Sequence, residues 1–233
     1  MSNEELQKKI VETALKYVGM QEIKGNLGWT SESFEAKMVE TGWKTTQAWC
    51  AYFTELVWSE VYDPVGLAKD LDRYFSGSAR RTLAKFAAAD DWCTGIRPVP
   101  GAVVIWKSVK NGKDQSTGHA GIVVEVHKDH IVTVEGNTNA GGSREGDAVA
   151  KKTRKLKFTG TNGLVLEGFV CPRGITCELP FANKEEGDAF RVWVNDTHPE
   201  YARTIDLDRS GSHSNSYILK AYDILGKEYD LLN

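Results

Sequence analysis

Cys50 stands between Trp49 and Ala51 in QAWCAYFTELVW, residues 47–58, in or near the first turn of what reads as an apolar helix. A thiol must ionise before it attacks a carbonyl, and a helix's first turn favours the thiolate because unpaired backbone N–H groups and the dipole stabilise negative charge. The same position suits a quiet core residue, since cysteine is among the most buried residue types. A partner base would separate the two readings. His119 lies in TGHAGIVVEV at the entry of an apolar strand, among small residues expected to leave the imidazole accessible. His127, His130, His198 and His213 lie in polar surroundings that read as solvated loops or turns. A third group would orient the imidazole and stabilise its charged form. VTVEGN supplies Glu135 and Asn137, which face the same side of the sheet if the strand continues that far; a plain strand-to-turn exit at Gly136 would also account for them.

The elements that must hold these residues can be read from periodicity. Ser2 and Glu5 have capping-box form, and Leu6, Ile10, Ala14 and Val18 follow at helical spacing. Phe34, Met38 and Val39 indicate a second helix before Gly42. Thr45 or Thr46 is placed to cap a third, with Trp49, Phe53, Leu56 and Val57 on one face. Ser78 introduces a fourth, through Ala79, Leu83, Phe86 and Ala87. After Pro98, Pro100 and Gly101 the period changes to that of strands, at residues 103–106, 121–126 and 131–136, with shorter candidates at 156–158 and 166–171. Helices first and antiparallel strands afterwards predict an α+β domain over residues 1–172. Residues 173–183 read as a linker. Residues 184–233 read as a small helical unit, with one helix near 185–196 and another marked by Ile218, Ala221, Tyr222 and Leu225.

The 233 residues are enough for a full core. A formal net charge of −3 gives no basic field suited to nucleic acid. Neither a signal-type apolar core nor a run of about 18 apolar residues occurs, so no membrane insertion is expected. The product is expected to be made in the cytoplasm and to reach any extracellular target by lysis or injection. Cys50, Cys93, Cys171 and Cys177 lack zinc-type spacing, although Cys171 and Cys177 are close enough in sequence for a local disulfide in an oxidising compartment. Asp206, Asp208 and Ser210 begin like a calcium loop and then lack its distal glutamate. No metal or cofactor is expected.

WCAYFTELVW around Cys50, PVPGAVVIW, GHAGIVVEV around His119 and VTVEGN, with EIKGNLGW upstream, together resemble the CHAP family of cysteine- and histidine-dependent amidohydrolases and peptidases. The resemblance covers roughly residues 5–172. It implies a papain-like fold with helices packed on an antiparallel sheet, and peptidoglycan as substrate. It further implies Cys50 as nucleophile, His119 as general base, Glu135 as the residue orienting the ring, and Asn137 as a further polar member or the orienting residue itself. The Cys50 backbone N–H would be one oxyanion donor and Gln47 a candidate second, although its spacing of three residues is not papain's. Some CHAP enzymes bind calcium through an acidic loop ahead of the nucleophile, but residues 42–48 contain no carboxylate. The C-terminal unit looks like the small wall-binding modules of lysins, with Trp193, Tyr201 and Tyr222 as candidates to stack on sugars; aromatics at helical spacing equally make a core.

These features imply an N-acetylmuramoyl-L-alanine amidase or a peptide crossbridge endopeptidase, and the sequence does not choose between them. The setting would be a phage endolysin acting with a holin, a phage tail component, or an injected effector paired with an immunity protein. Two other classes stay open: an inactive wall-binding protein, and a cytosolic thiol peptidase or deamidase acting on proteins.

Overall fold

The computed structural model describes residues 3–65, 68–89, 92, 94–138, 146–172, 177–179, 192, 205–208 and 217–221. It divides into two compact units, one of Glu4–Pro172 and the other of Met1–Asn3 with Arg173–Asn233.

The first unit opens with α1 (Asn3–Lys16), which buries Leu6, Ile10, Thr13 and Ala14. Val18, beyond its end, is exposed. Helix α2 (Glu32–Glu40) is capped by Ser31, whose side chain accepts from the Phe34 N–H, and it buries Phe34 and Met38. Val39, expected on the same apolar face, is exposed. Helix α3 (Cys50–Tyr62) is buried on most of its surface. Neither Thr45 nor Thr46 caps it: the N-cap is Trp49, and Thr46 takes a left-handed φ of 74°. A short 3-10 turn (Asp63–Val65) and α4 (Ala68–Leu71) lead to α5 (Ala79–Ala87), capped by Ser78.

The sheet follows: β1 (Thr94–Gly95), β2 (Val103–Lys110), β3 (Lys113–Val126), β4 (His130–Thr138), β5 (Ala148–Lys155) and β6 (Gly163–Val170). Its order is β1-β6-β2-β3-β4-β5, with antiparallel pairing throughout. This is the α+β arrangement read from the sequence. The β2–β3 hairpin turns on Asn111 (φ 52°) and Gly112 (φ 73°), a two-residue loop with both φ positive that matches the twist of the flanking strands. The tight turn extends β3 well ahead of Gly121, so His119 sits inside the strand and not at its entry. Beyond an irregularity between Lys107 and Val109, the β2–β3 register places His119 directly across from Trp106. Residues 156–158 are not a strand; the neighbouring run is β5, whose alternating basic residues gave no apolar signal.

Helix α3 lies on the sheet where Gly136 leaves room. A Cβ there would stand 2.5 Å from Trp49 Cζ3 and 2.8 Å from Phe53 Cβ. Beneath the start of α3, Trp29, Phe34, Trp43 and Trp49 form an aromatic cluster, with Trp29 meeting Trp43 at 4.6 Å and Trp49 at 5.2 Å between centroids. The upstream EIKGNLGW segment thus supplies part of the wall against which the Cys50 turn is packed.

The second unit contains β7 (Cys177–Leu179), β8 (Ile205–Asp208) and β9 (Tyr217–Ala221), in the order β7-β9-β8. Ile218 and Ala221, expected on a helix, therefore lie on a strand. A short apolar run does not distinguish the two periods, and pairing of β9 with both neighbours satisfies its backbone as a strand. Val192 is helical. Trp193, Tyr201 and Tyr222 lie outside the described residues, as do Ser2, Cys93, His198 and His213. Asp206 and Asp208 lie on β8. No helix among the described residues is long and apolar enough to cross a membrane.

Candidate active site

Cys50 is the first residue of α3, and the N-cap Trp49 makes no side-chain capping bond. No acidic residue occupies the first turn, so the positive end of the helix faces the thiol without a competing carboxylate. Trp49 is held by its indole N–H, which donates to the Glu22 carboxylate. Cys50 is 7% exposed. Burial pushes its thiol up, but interaction with His119 and backbone hydrogen bonds with Ala120 and Ala51 more than reverse this, and the net direction is down.

His119 is fully buried. The small residues around it serve packing, not access: a Cβ on Gly118 would meet the Trp106 carbonyl at 2.4 Å, and one on Gly121 would meet Glu135 Cγ at 2.7 Å. The imidazole stacks on Trp106, with centroids 5.8 Å apart and planes 27° apart. Its Nε2 lies 2.9 Å from Glu135 Oε2. Nδ1 makes no aligned hydrogen bond and is the nitrogen left to serve Cys50. Burial lowers the affinity of this ring for a proton, whereas Cys50 and Glu135 raise it by more, placing its pKa at about 9. Cys50 driven down and His119 driven up are both shifts toward a thiolate–imidazolium pair.

Glu135 has no exposed side-chain surface. Its carboxylate is saturated: Thr133 Oγ1 donates to Oε1 at 2.6 Å, Arg154 Nε to Oε1 at 2.8 Å, and Arg154 Nη2 to Oε2 at 2.5 Å, beside the His119 contact. Burial alone would raise its pKa, but Arg154 and His119 outweigh it and hold the group at about 2. The sequence reading missed Arg154, Thr133 and the part played by Trp106. Thr133 carried a signal, lying two residues before Glu135 on the same strand face.

Asn137 is buried and has a left-handed φ of 54°. The β4–β5 register slips between Glu135 and Thr138, so strict alternation no longer fixes which side Asn137 takes. Gln47 lies on the surface, with Oε1 accepting from the Lys44 N–H and the Tyr52 hydroxyl, both at 3.1 Å. His127 and His130 stack on each other near the surface, with centroids 4.4 Å apart. No group of three or more His, Cys, Asp or Glu side chains among the described residues is arranged to hold a metal ion.

A buried thiol at an uncapped helix start, an imidazole joined to a carboxylate, and a carboxylate fixed by an arginine can together support nucleophilic acyl transfer. No curated protein and no solved structure matches the chain significantly. The family model for the CHAP domain matches residues 41–137, a span that opens ahead of α3 and closes on β4, taking in Cys50, His119, Glu135 and Asn137; over these residues the chain is similar to CHAP domains.

Proposed function

We propose that the protein is a peptidoglycan hydrolase that cleaves a cell-wall amide with Cys50 as nucleophile. CHAP domains are generally hydrolases acting on peptidoglycan, of amidase or endopeptidase type. The observation that carries the cysteine mechanism is the buried His119, joined to Glu135 through Nε2 at 2.9 Å and coupled to Cys50, whose thiol it lowers.

In this reading the Cys50 thiolate attacks the amide carbon. The oxyanion is met by the Cys50 backbone N–H at the start of α3, with the Gln47 amide, anchored through its oxygen, as the side-chain donor. His119 gives its proton to the leaving amine, and a water deprotonated by the same ring then hydrolyses the thioester. Glu135 orients the ring and stabilises its charged form. Asn137 is the further polar member at the end of β4. The bond is either the N-acetylmuramoyl-L-alanine amide or a peptide crossbridge. The biological role is that of a phage endolysin partnered by a holin, a tail component, or an injected effector with its immunity protein. The second unit is proposed to bind the wall.

The test is incubation of the wild type and Cys50→Ala with purified sacculi from Gram-negative and Gram-positive cells, with soluble products read by mass spectrometry. Free stem peptides and bare glycan identify an amidase; cross-linked dimers converted to shorter peptides identify an endopeptidase. Wild-type protein that pellets with sacculi and releases nothing refutes hydrolysis in favour of wall binding. Neither release nor binding refutes the wall as substrate and directs the search to protein amides.

A further inference from the structure

Arg154 closes a ring of side chains around the imidazole. Its Nε and Nη2 grip both oxygens of Glu135, Glu135 Oε2 contacts His119 Nε2, His119 stacks on Trp106, and the Arg154 guanidinium lies over the Trp106 ring at 5.5 Å from its centroid. The four groups are buried or nearly so, with Arg154 the most open at 19% side-chain exposure. A carboxylate in a site this dry needs a countercharge that does not leave. His119 cannot be that constant partner, because it must pass its proton to a leaving group and back. Arg154 keeps its charge throughout. Its planar fork also fixes the plane of the carboxylate, and therefore the nitrogen at which His119 is held and the nitrogen turned to the thiol.

We propose that Arg154 is a positioning residue of the catalytic machinery, acting through Glu135 to hold the His119 ring in the tautomer and orientation that set the reactivity of Cys50. This rests on the thiol–imidazole reading above, but not on the identity of the substrate. Arg154 itself touches no reacting atom. If it were only a structural ion pair, its removal would lower stability and leave the reactivity of the thiol in the surviving folded protein unchanged.

The experiment measures alkylation of Cys50 by iodoacetamide in the full chain as a function of pH. The Cys50 peptide is followed by mass spectrometry, with Cys50→Ala as blank and thermal melts reporting folding. The midpoint of the wild-type profile is expected below that of an ordinary thiol. Arg154→Met is expected to react about tenfold or more slowly at pH 6, its midpoint shifted upward by at least about one unit. Arg154→Lys, which restores the charge without the fork, should fall between the two. A folded Arg154→Met with the wild-type profile overturns the proposal. Should that variant not fold, Arg154→Met is combined with Glu135→Gln, which removes the carboxylate charge the single change would strand. The profile of the pair is then expected to equal that of Glu135→Gln alone, and a further upward shift would overturn action through Glu135. Alkylation involves no cell wall, so an Arg154-dependent profile together with intact sacculi would refute the wall substrate and leave this inference standing.

Discussion

Gly121 and Glu135 share one volume: a Cβ on Gly121 would stand 2.7 Å from Glu135 Cγ and 3.2 Å from the Val134 carbonyl oxygen. The carboxylate can reach His119 from the next strand because β3 carries no side chain at that point. Gly121→Ala is therefore predicted to push Glu135 off its partners while leaving the sheet paired. The stability cost of such overpacking is about 1–3 kcal/mol. Cys50 alkylation at pH 6 should fall along with sacculus hydrolysis. A folded variant with wild-type thiol reactivity would show that Glu135 does not set the state of the pair.

Gly136, on the next strand, makes the contrasting case. Its missing Cβ is filled by Trp49 and Phe53, not by a catalytic side chain. Gly136→Ala is predicted to lift the start of α3 away from β4, and both contacts are with buried, inflexible groups. The melting temperature should drop by more than for Gly121→Ala, because the helix seat is lost and not one carboxylate's position. Equal melting temperatures for the two variants would refute this account of how α3 is seated.

The site was legible in the sequence where its parts are local. A cysteine opening an apolar helix and a glutamate ending an apolar strand each depart from a simple pattern, and such departures mark chemistry. Arg154 departs from nothing. It sits among the basic residues of AVAKKTRK, which read as a solvated stretch, and only the β4–β5 register brings it to Glu135. Register depends on turns and bulges that periodicity does not encode, which is also why the expectation that Asn137 shares a face with Glu135 does not carry across the slip. The apolar run begins after His119, so the sequence alone reads that residue as a strand entry. The Asn111–Gly112 hairpin carries β3 back through polar residues, and the ring is consequently buried. In the second unit, the apolar run around Ile218 reads as a helix in the sequence but is a strand, paired with β7 and β8.

The pH dependence of hydrolysis follows from the directions of the shifts. Activity needs Cys50 deprotonated and His119 protonated together. Cys50 lies below the ordinary thiol range and His119 is raised to about 9. The profile is therefore predicted to fall as pH rises through about 9, when the imidazolium is lost. The stability supplied by protonated His119 follows the same sign: it is complete below the unfolded pKa near 6.5 and disappears as pH passes about 9. Glu135, held at about 2, contributes stability that is complete above its unfolded value near 4.5 and is lost as pH falls toward 2. Rates on solubilised muropeptides between pH 5 and 10.5 check this. Activity still rising at pH 10 would contradict an imidazolium proton donor.

Glu55, five residues along α3 from Cys50, is only 5% exposed, and among the described residues the charges that act on it are those of Asp72 and Lys85. Burial, followed by the charge of Asp72, raises its carboxyl to about 8, with Lys85 opposing. The folded protein thus keeps a proton that the unfolded chain releases near 4.5. Stability from this group is complete below about 4.5 and declines steadily as pH climbs to 8, by on the order of 4 kcal/mol across the window. Glu55→Gln keeps the shape of the side chain and removes its titration. Its melting temperature is predicted to match the wild type at pH 4.5 and to exceed it by roughly 10 °C at pH 8, with hydrolysis unchanged at neutral pH. His119 titrates in both proteins over the upper part of this range, so the difference between the two melting curves isolates Glu55. Parallel curves from pH 4.5 to 8 would mean that Glu55 is already ionised at low pH, and the neighbourhood of Asp72 and Lys85 would then have to supply a partner strong enough to compensate for its burial.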